Sequence, residues 1–358
     1  MKKINSSRAI AVFGYYGFGN AGDECILQAL VSGLYSADPK IRISVASATP
    51  ELTASELQVQ SFLWSDASAV QQAVDWADLV LVGGGGLFHD YYGFDPNAFL
   101  TDQQTGIAYY ASPAILAALQ AKPAILCSVG VGPLYSGAAK TFTRAAADAA
   151  LLVTVRDEES RTILIELGIA PSKISVTADL AFSYFPLSGF EASVPKIAPR
   201  ARPVAGVSLR PWSHGIAPSH WEREVASALD LWIERNEGDV LFIPFQNLPG
   251  TTEDDASVIE RVRAAMRQSE HTSSVAHTCN ARQILSTLHR CDLVLAMRLH
   301  AAILGACANK PVVAIGYDAK VVQAMTRLGA ADRVEDLYAI SAGALVERLE
   351  SASLEAFH

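Results

Sequence analysis

The sequence predicts an α/β fold in which two Rossmann-like domains, each built on a parallel sheet, face each other across a cleft. From Arg8 onward, short apolar or β-branched runs alternate with glycine turns and amphipathic stretches, which is the pattern of parallel strands joined by crossover helices. This alternation stops once and restarts in the second half of the chain. A chain of 358 residues, 50% of them hydrophobic, is too long for one comfortable core and fits two domains.

The same pattern places the elements of each half. In the first half it predicts strands near Ile10–Phe13, Ile41–Ala46, Leu79–Val82, Ala124–Val129, Leu152–Val155 and Ile174–Thr177, and helices near Asp23–Leu34, Pro113–Ala121, Ala138–Ala149 and Glu158–Leu167. In the second half it predicts strands near Val204–Leu209, Val240–Pro244, Leu293–Ala296 and Val312–Ile315, and helices near Trp221–Arg235, Ala256–Arg267, Ala281–Arg290, His300–Ala308, Lys320–Leu328 and Ala342–Leu354. Proline, serine and scattered charge between the halves predict a linker at 186–203, which separates an N-terminal domain at 1–185 from a C-terminal domain at 204–358.

Composition and charge exclude several classes of protein. A formal net charge of -9 disfavours nucleic-acid binding, because neutralising phosphates requires a surplus of lysine and arginine. The apolar runs are shorter than the roughly 18 residues that span a bilayer, and no signal-peptide pattern opens the chain, so we expect a cytoplasmic protein. The five cysteines form no CxxC pair, which predicts free thiols rather than disulfides or zinc, and no other metal cluster is visible.

A glycine-rich loop follows the first predicted strand. Its spacing, Gly17-x-Gly19-x-x-Gly22, formally matches the dinucleotide-binding fingerprint. The second predicted strand ends in Ala46-Ser47-Ala48-Thr49, however, without the acidic residue that would hold the ribose of NAD. The sequence also lacks the GxxxxGK[ST] pattern of a P-loop. These observations disfavour both NAD and a nucleoside triphosphate as the ligand of this loop.

The side chains in the same loop admit two interpretations. The rings of Tyr15, Tyr16 and Phe18 either stack on a sugar or a base, or they pack inside the protein. Asn20 and Asp23 either contact a ligand or cap the helix that follows.

Three arginines directly follow predicted strands: Arg156, Arg210 and Arg298. Ligands of parallel sheets bind outside the carboxyl ends of the strands, and the guanidinium fork pairs with carboxylate or phosphate at two points. These arginines therefore suit a small anion that carries two or three charges. Arg156 also precedes Asp157, so it could instead form a pair across the start of the next helix.

His300 lies two residues beyond Arg298, at the predicted start of a helix. A lone histidine is usually structural, but a position at a strand end beside an arginine favours a general acid or base. Lys320 repeats this arrangement after the next strand, where it could pair with Asp318 or reach the same anion.

Six blocks of sequence, in this order, resemble the polysaccharide pyruvyl transferase family, whose bacterial type is CsaB. The resemblance spans nearly the whole chain, and the family's fold is similar to that of GT-B glycosyltransferases. The blocks are Gly14–Glu24, Leu81–Leu87, Ser128–Pro133, Val155–Asp157, Ala178–Phe182 and Arg298–His300.

The resemblance implies a transferase that moves the enolpyruvyl group of phosphoenolpyruvate onto two hydroxyls of a sugar in a cell-wall or exopolysaccharide precursor. The product would be a pyruvate ketal, with release of phosphate, and no cofactor besides the donor would be required. His300 would be the general acid, assisted by Arg298. The residues implied to bind phosphoenolpyruvate are Arg156, Arg210, Arg298 and Lys320.

The implied acceptor is a lipid- or nucleotide-linked sugar. The residues implied to contact it are Tyr16, Phe18, Asn20, Asp23 and Gly85. The identity of the sugar, peripheral contact with the inner face of the membrane and the oligomeric state are left open.

Two other functions compete with this interpretation. A nucleotide-sugar glycosyltransferase of GT-B type would share the fold and the glycine turns, but it would need a ribose site in the second domain. A non-catalytic polysaccharide-binding protein would require a damaged site, whereas the arginines and His300 are all present.

Overall fold

The computed structural model describes residues 8–187, 202–252, 254–275 and 280–355. The chain forms two compact units, of which the first comprises Met1–Phe18 and Asp23–Ser188 and the second comprises Gly19–Gly22 and Gly189–His358. The predicted linker at 186–203 falls almost wholly outside the described residues, so this linker and the domain boundaries on either side of it stay predictions.

The first unit is built on a parallel sheet whose strands, within the described residues, pair in the order β3-β2-β1-β4-β5-β6-β7. The strands are apolar because helices cover a parallel sheet on both faces, and every residue of β1 is buried. In chain order the elements are β1 (Ala9–Phe13), α1 (Ala21–Ala37), β2 (Arg42–Ser47), α2 (Pro50–Leu57), β3 (Gln60–Leu63), α3 (Ala67–Trp76), β4 (Leu79–Phe88), α4 (Gly106–Leu119), β5 (Ala124–Val131), α5 (Gly137–Ala149), β6 (Leu152–Val155), α6 (Glu158–Glu166), β7 (Ile174–Val176) and α7 (Ala181–Leu187).

The second unit has a smaller parallel sheet of the order β10-β9-β8-β11-β12-β13, again among the described residues. Trp221 and Trp232 of α8 are fully buried in this unit. Its elements are β8 (Val204–Ser208), α8 (Pro218–Asn236), β9 (Asp239–Phe242), α9 (Asp255–Ala265), β10 (Thr272–Ser274), α10 (Ala281–His289), β11 (Leu293–Ala296), α11 (Leu299–Cys307), β12 (Val312–Gly316), α12 (Ala319–Arg327), β13 (Val334–Asp336) and α13 (Ala342–Glu355). Across the described ranges, every helix is too short or too polar to cross a bilayer.

In each sheet, successive strands are first added on one side of the first strand and then on its other side. In the first unit this switch lies between β1 and β4, and in the second it lies between β8 and β11. Ligands of open parallel sheets bind outside the carboxyl ends of the strands at such a switch point. The glycine-rich loop follows β1, whereas Arg210 and Arg298 follow β8 and β11. The candidate residues therefore lie where the topology of each sheet creates a binding site.

The strand predicted near Leu79–Val82 is longer than expected, and its predicted end at Val82 is wrong. β4 continues through the glycines at 83–86 to Phe88, and Gly86 pairs with Gly130 of β5. Gly84 and Gly85 have φ values of 76° and 84°. A Cβ atom on Gly84 would lie 1.9 Å from Cγ2 of Ile26 in α1. Glycine is required here because α1 packs directly on the backbone of β4.

The predicted start of α4 at Pro113 is also wrong. The helix begins at Gly106, and Pro113 lies inside it. Residues 107–114 are all buried, so this stretch offers no alternation of polar and apolar residues from which a helix start could be inferred.

Candidate functional site

Two basic side chains of the second unit surround the ring of Tyr317. Arg210 lies two residues beyond β8, where its Nη1 donates to Tyr317 Oη at 3.0 Å and its Cζ lies 5.1 Å from the ring centre. Nζ of Lys320, in the first turn of α12, lies 5.5 Å from the same ring centre. The ring of Trp212 completes the group at 5.3 Å from Arg210 Cζ. We call Arg210, Trp212, Tyr317 and Lys320 the cationic cluster.

The cationic cluster is positively charged and partly buried, with Trp212 and Lys320 half-exposed at its edge. Arg210 and Tyr317 are only 9% and 4% exposed. Burial raises the pKa of Tyr317, but the charges of Lys320 and Arg210 outweigh burial and hold this pKa below its ordinary value. Asp318 lies beside the cluster, with Oδ2 3.7 Å from Lys320 Nζ. Positive charge held this firmly around one phenol favours a small anion such as a carboxylate or a phosphate.

Arg298 forms a buried ion pair with Asp255, the first residue of α9. Its Nε lies 3.2 Å from each carboxylate oxygen, and its Nη2 also donates to Oδ1. Asp255 is fully buried, and its Oδ2 accepts hydrogen bonds from the backbone N–H groups of Phe245 and Gln246 at 3.0 and 2.9 Å. The ion pair therefore fixes the loop that follows β9.

This loop in turn holds the segment Gly19–Gly22, which belongs to the second unit. Asn20 Nδ2 donates to Gln246 Oε1 at 2.8 Å, and the backbone N–H of Ala21 donates to the carbonyl oxygen of Phe245, also at 2.8 Å. Asn20 Oδ1 accepts from the N–H of Gly22 at 3.0 Å. In this structure Asn20 therefore positions the backbone at the start of α1.

His300 packs against Gly22. It lies in the first turn of α11 and is partly buried. A Cβ atom on Gly22 would lie 1.9 Å from Nδ1 and 2.2 Å from Cγ of the imidazole. Only glycine allows this approach. The last glycine of the fingerprint-like spacing thus makes room for the predicted general acid.

In the first unit, Arg156 is buried among acidic groups and glycines. Its Nη1 donates to Asp179 Oδ2 at 3.1 Å, and its Nε lies 3.4 Å from Asp157 Oδ2. Burial lowers the pKa of Arg156, but the charges of Asp179 and Asp157 outweigh burial and raise this pKa above its ordinary value. Cβ atoms on Gly130 and Gly86 would lie 2.7 and 3.2 Å from the guanidinium nitrogens. The guanidinium group is therefore charged and rests on the backbones of β4 and β5.

Asp23, Gly85 and Tyr16 also belong to the first unit. Asp23 is 8% exposed, and a Cβ atom on Gly85 would lie 2.7 Å from its Oδ1. Tyr16 is completely buried and donates its hydroxyl hydrogen to the carbonyl oxygen of Gly83. Its ring therefore belongs to the core of the first unit and contacts β4. A role of Tyr16 in acceptor binding stays a prediction.

The other rings of the loop pack on each other. Phe18 stacks on Tyr15 with ring centres 4.2 Å apart, and it meets Trp64 edge-on at 5.2 Å. The rings of Tyr15 and Phe18 are half-buried, so part of their surface faces solvent. Glu24 Oε1 accepts a hydrogen bond from the backbone N–H of Gly17 in the same loop, at 2.7 Å from the nitrogen. Burial raises the pKa of Glu24 to about 7 despite this hydrogen bond.

The structure thus sorts the predicted residues into two groups. The second unit holds Arg210, Arg298, His300, Lys320 and Asn20, and the first holds Arg156, Asp23, Gly85, Tyr16 and Phe18. Sequence reasoning missed several of their partners. Tyr317 was detectable, because it follows β12 directly, but nothing in the sequence pairs Asp255 with Arg298. The missed partners are Trp212, Tyr317, Gln246, Asp255 and Asp179. In the part of the chain that the structure describes, no three His, Cys, Asp or Glu side chains gather as a metal site requires.

Comparison with solved structures identifies the class of fold. The chain is similar to UDP-GlcNAc 2-epimerase from Methanocaldococcus jannaschii, with a TM-score of 0.63 and 10% identity over 96% of this chain and 92% of that one. It is also similar to ADP-heptose LPS heptosyltransferase II from E. coli, with a TM-score of 0.51 and 13% identity over 98% of this chain and 100% of that one. The fold is therefore that of the GT-B-like glycosyltransferases and epimerases, as predicted, and at these identities the likeness shows the fold alone.

The family follows from the sequence itself. The family model described as polysaccharide pyruvyl transferase matches residues 20–319, so the chain belongs to the polysaccharide pyruvyl transferase family. The chain is also 22% identical over 284 residues to the amylovoran biosynthesis protein AmsJ of Erwinia amylovora. That match covers 76% of this chain and 64% of AmsJ, which is less than two thirds of the relative's length. The resemblance drawn from the six sequence blocks is confirmed.

Proposed function

We propose that this protein transfers the enolpyruvyl group of phosphoenolpyruvate onto two hydroxyls of a sugar in a cell-wall or exopolysaccharide precursor. The observation that carries the proposal is the cationic cluster, which presents Arg210 and Lys320 around Tyr317 at the carboxyl ends of β8 and β12. A compact anion with a carboxylate and a phosphate suits this arrangement. Membership of the polysaccharide pyruvyl transferase family supports the same donor and a sugar acceptor.

The proposed reaction begins at the methylene carbon of the donor. His300 donates a proton to C3, and the double bond becomes an oxocarbenium-like centre at C2. A sugar hydroxyl attacks C2 and loses its proton, which restores His300. The bond from C2 to the phosphate oxygen then breaks, and a second hydroxyl attacks to close the ketal. The proton of that second hydroxyl ends on the released phosphate. The first hydroxyl proton thus replaces the one that His300 gave to the methylene group, which becomes a methyl group, and the second leaves as part of hydrogen phosphate.

The arginines and Lys320 would stabilise the departing phosphate, because positive charge held in place before the reaction costs no reorganisation during it. Arg210 and Lys320 are proposed to contact the donor directly. Arg156 and Arg298 are paired with Asp179 and Asp255, so donor binding by these two requires that they contact the donor without leaving their partners.

The acceptor is proposed to be a lipid- or nucleotide-linked sugar. Phe18, Asp23 and Gly85 are the candidates for direct contact, because Phe18 and Asp23 follow the carboxyl end of β1 and Gly85 lies in β4 against Asp23. Asn20 is proposed to act through the backbone that it holds. A cytoplasmic site of action stays a prediction.

The donor assignment is tested by thermal-shift titration with phosphoenolpyruvate, inorganic phosphate and UDP. A ligand that binds only the native state raises the melting temperature. We expect stabilisation by phosphoenolpyruvate, and a smaller effect in Arg210→Ala and Lys320→Ala. Arg223→Ala removes an exposed arginine of α8 and is the matched control. Stabilisation by UDP but not by phosphoenolpyruvate would contradict the proposal and favour a nucleotide-sugar glycosyltransferase.

A further inference from the structure

A group of aromatic side chains lies on the surface beyond the carboxyl ends of β4 and β5. His89, Tyr91 and Tyr92 come directly after β4, and Tyr135 comes after β5. Tyr92 and Tyr135 are 67% and 68% exposed, whereas Tyr91 and His89 are half-buried. We call Tyr91, Tyr92 and Tyr135 the tyrosine platform. None of these residues takes part in the chemistry proposed above.

The three rings of the tyrosine platform are adjacent. The ring centre of Tyr91 lies 6.5 Å from that of Tyr92 and 6.4 Å from that of Tyr135. The ring of His89 lies 5.1 Å from Tyr91 and 6.3 Å from Tyr92. The ring of Tyr91 therefore lies next to both other rings, and the two rings that flank it are the exposed ones. Large exposed rings grouped in this way mark a binding surface more often than isolated surface tyrosines do.

The backbone under the platform is fixed by Asp90, which is 4% exposed. Its carboxylate accepts from the N–H groups of Tyr135 and Ser136 at 2.6 and 2.8 Å, which ties the loop after β5 to the loop after β4. Burial raises the pKa of Asp90, but these hydrogen bonds outweigh burial and hold the pKa below its ordinary value. Rings carried on a backbone held this firmly lose little freedom when a ligand binds.

The position of the platform relates it to the candidate acceptor residues. β4 carries Gly85, which lies against Asp23, and it continues through Phe88 directly into the platform. β5 pairs with β4 as far as Phe88 and Val131, so the two platform loops leave neighbouring strands side by side. The platform therefore extends the same edge of the first sheet on which the acceptor is proposed to bind.

We propose that the tyrosine platform binds sugar units of the acceptor glycan other than the unit that receives the ketal. This inference rests on the proposed function for its choice of a glycan. The C–H groups on one face of a pyranose ring carry partial positive charge, and the face of an aromatic ring is negative, so the two stack favourably. A nucleic acid could also stack on tyrosines, but the net charge of -9 disfavours it.

Affinity electrophoresis tests the proposal without the donor. The full-length protein is run in native gels that contain a soluble neutral galactan, glucan or mannan, and the loss of mobility gives an apparent Kd. We expect at least one of these polysaccharides to retard the wild type. In the double variant Tyr92→Ala/Tyr135→Ala, we expect the apparent Kd to rise by about tenfold or more. Leu119→Ala is the control, because it removes a 78% exposed apolar side chain at the end of α4, before β5 begins.

Two results would overturn the proposal: retardation of the wild type by none of the three polysaccharides, or equal retardation of the wild type and the double variant. A melting temperature of the double variant within a few degrees of the wild type excludes misfolding as the cause of weaker binding. Single Tyr92→Phe and Tyr135→Phe variants, which keep the ring, should retain most of the affinity. Failure of the proposed pyruvyl transfer is recognised separately, since it would appear as absence of stabilisation by phosphoenolpyruvate in a protein that still binds glycan.

Discussion

The guanidinium group of Arg298 lies on the carboxylate of Asp255, with Nε 3.2 Å from both carboxylate oxygens. The same carboxylate accepts from the backbone of Phe245 and Gln246, and this loop holds the segment Gly19–Gly22. Gly22 then contacts the imidazole of His300. Arg298 is predicted to bind substrate from its position after a strand. In the structure its ion pair also holds in place the backbone that packs against His300.

Asp255→Asn should destabilise the protein strongly. The substitution leaves the charge of Arg298 buried without its counter-charge, and breaking a buried pair in this way costs about 3–5 kcal/mol. Urea unfolding measures the loss of unfolding free energy. Asp148→Asn breaks a pair with Arg144 in which both side chains are more than half exposed, and it should cost about 0.5 kcal/mol or less. Equal losses in the two variants would contradict the structural role of Asp255.

Gly22→Ala should reduce turnover far more than it reduces stability. The added Cβ would lie 1.9 Å from His300 Nδ1, so the imidazole or the start of α1 must move, and a misplacement of about 1 Å can cost roughly 100-fold in rate. Steady-state kinetics and thermal unfolding measure the two effects. Gly343→Ala is the matched control in α13, where no atom lies within 4 Å of the added methyl group. Unchanged turnover in Gly22→Ala would remove the positioning role.

His300→Ala should abolish ketal formation while phosphoenolpyruvate still binds. General acid catalysis contributes about 100- to 10,000-fold, so turnover should fall by at least the lower figure. Isothermal titration with phosphoenolpyruvate should give a Kd close to that of the wild type. His220→Ala, at an exposed position in α8, should change neither quantity. Turnover of His300→Ala equal to that of the wild type would exclude His300 as the general acid.

Glu24 should make the protein less stable as the pH rises from 4.5 to about 7. Burial raises its pKa from 4.5 to about 7, so between these values the folded protein keeps a proton that the unfolded chain releases. The contribution of Glu24 to stability therefore falls as the pH rises from 4.5 to 7 and is constant above that range.

Glu24→Gln removes this titration, so the stability of the variant relative to the wild type should increase from pH 4.5 to pH 7 and then level off. Urea unfolding across this range measures the difference in unfolding free energy. Glu51→Gln, at an exposed position in α2, is the control and should show no such trend. A difference between Glu24→Gln and the wild type that does not vary with pH would contradict the raised pKa.

Much of the fold could be predicted, because parallel strands covered on both faces appear as continuous apolar runs. β1, β6 and β11 match their predicted bounds to within a residue. The missed strands β3, β10 and β13 lie at sheet edges. β3, with the sequence Gln60–Leu63, has no fully buried residue, so the apolar signal that revealed the central strands is absent there.

The candidate site was only partly predictable. Position after a strand identified Arg210, Arg298 and His300, because topology places such residues at the edge where ligands bind. The same reasoning could not find that Arg298 pairs with Asp255, which lies 43 residues earlier in the chain. Pairing between distant charges depends on how the loops fold, and the local sequence does not encode it.

The central claim is the formation of a ketal from phosphoenolpyruvate, and product analysis with phosphoenolpyruvate labelled with ¹³C at C2 tests it most directly. The wild type and His300→Ala are incubated with the labelled donor and a lipid-linked glycan fraction, and the products are followed by ¹³C and ³¹P NMR. We predict a quaternary ketal carbon bonded to two sugar oxygens, with one phosphate released per ketal, in the wild type alone. Release of phosphate together with free pyruvate and no ketal, or no consumption of phosphoenolpyruvate at all, would contradict the account.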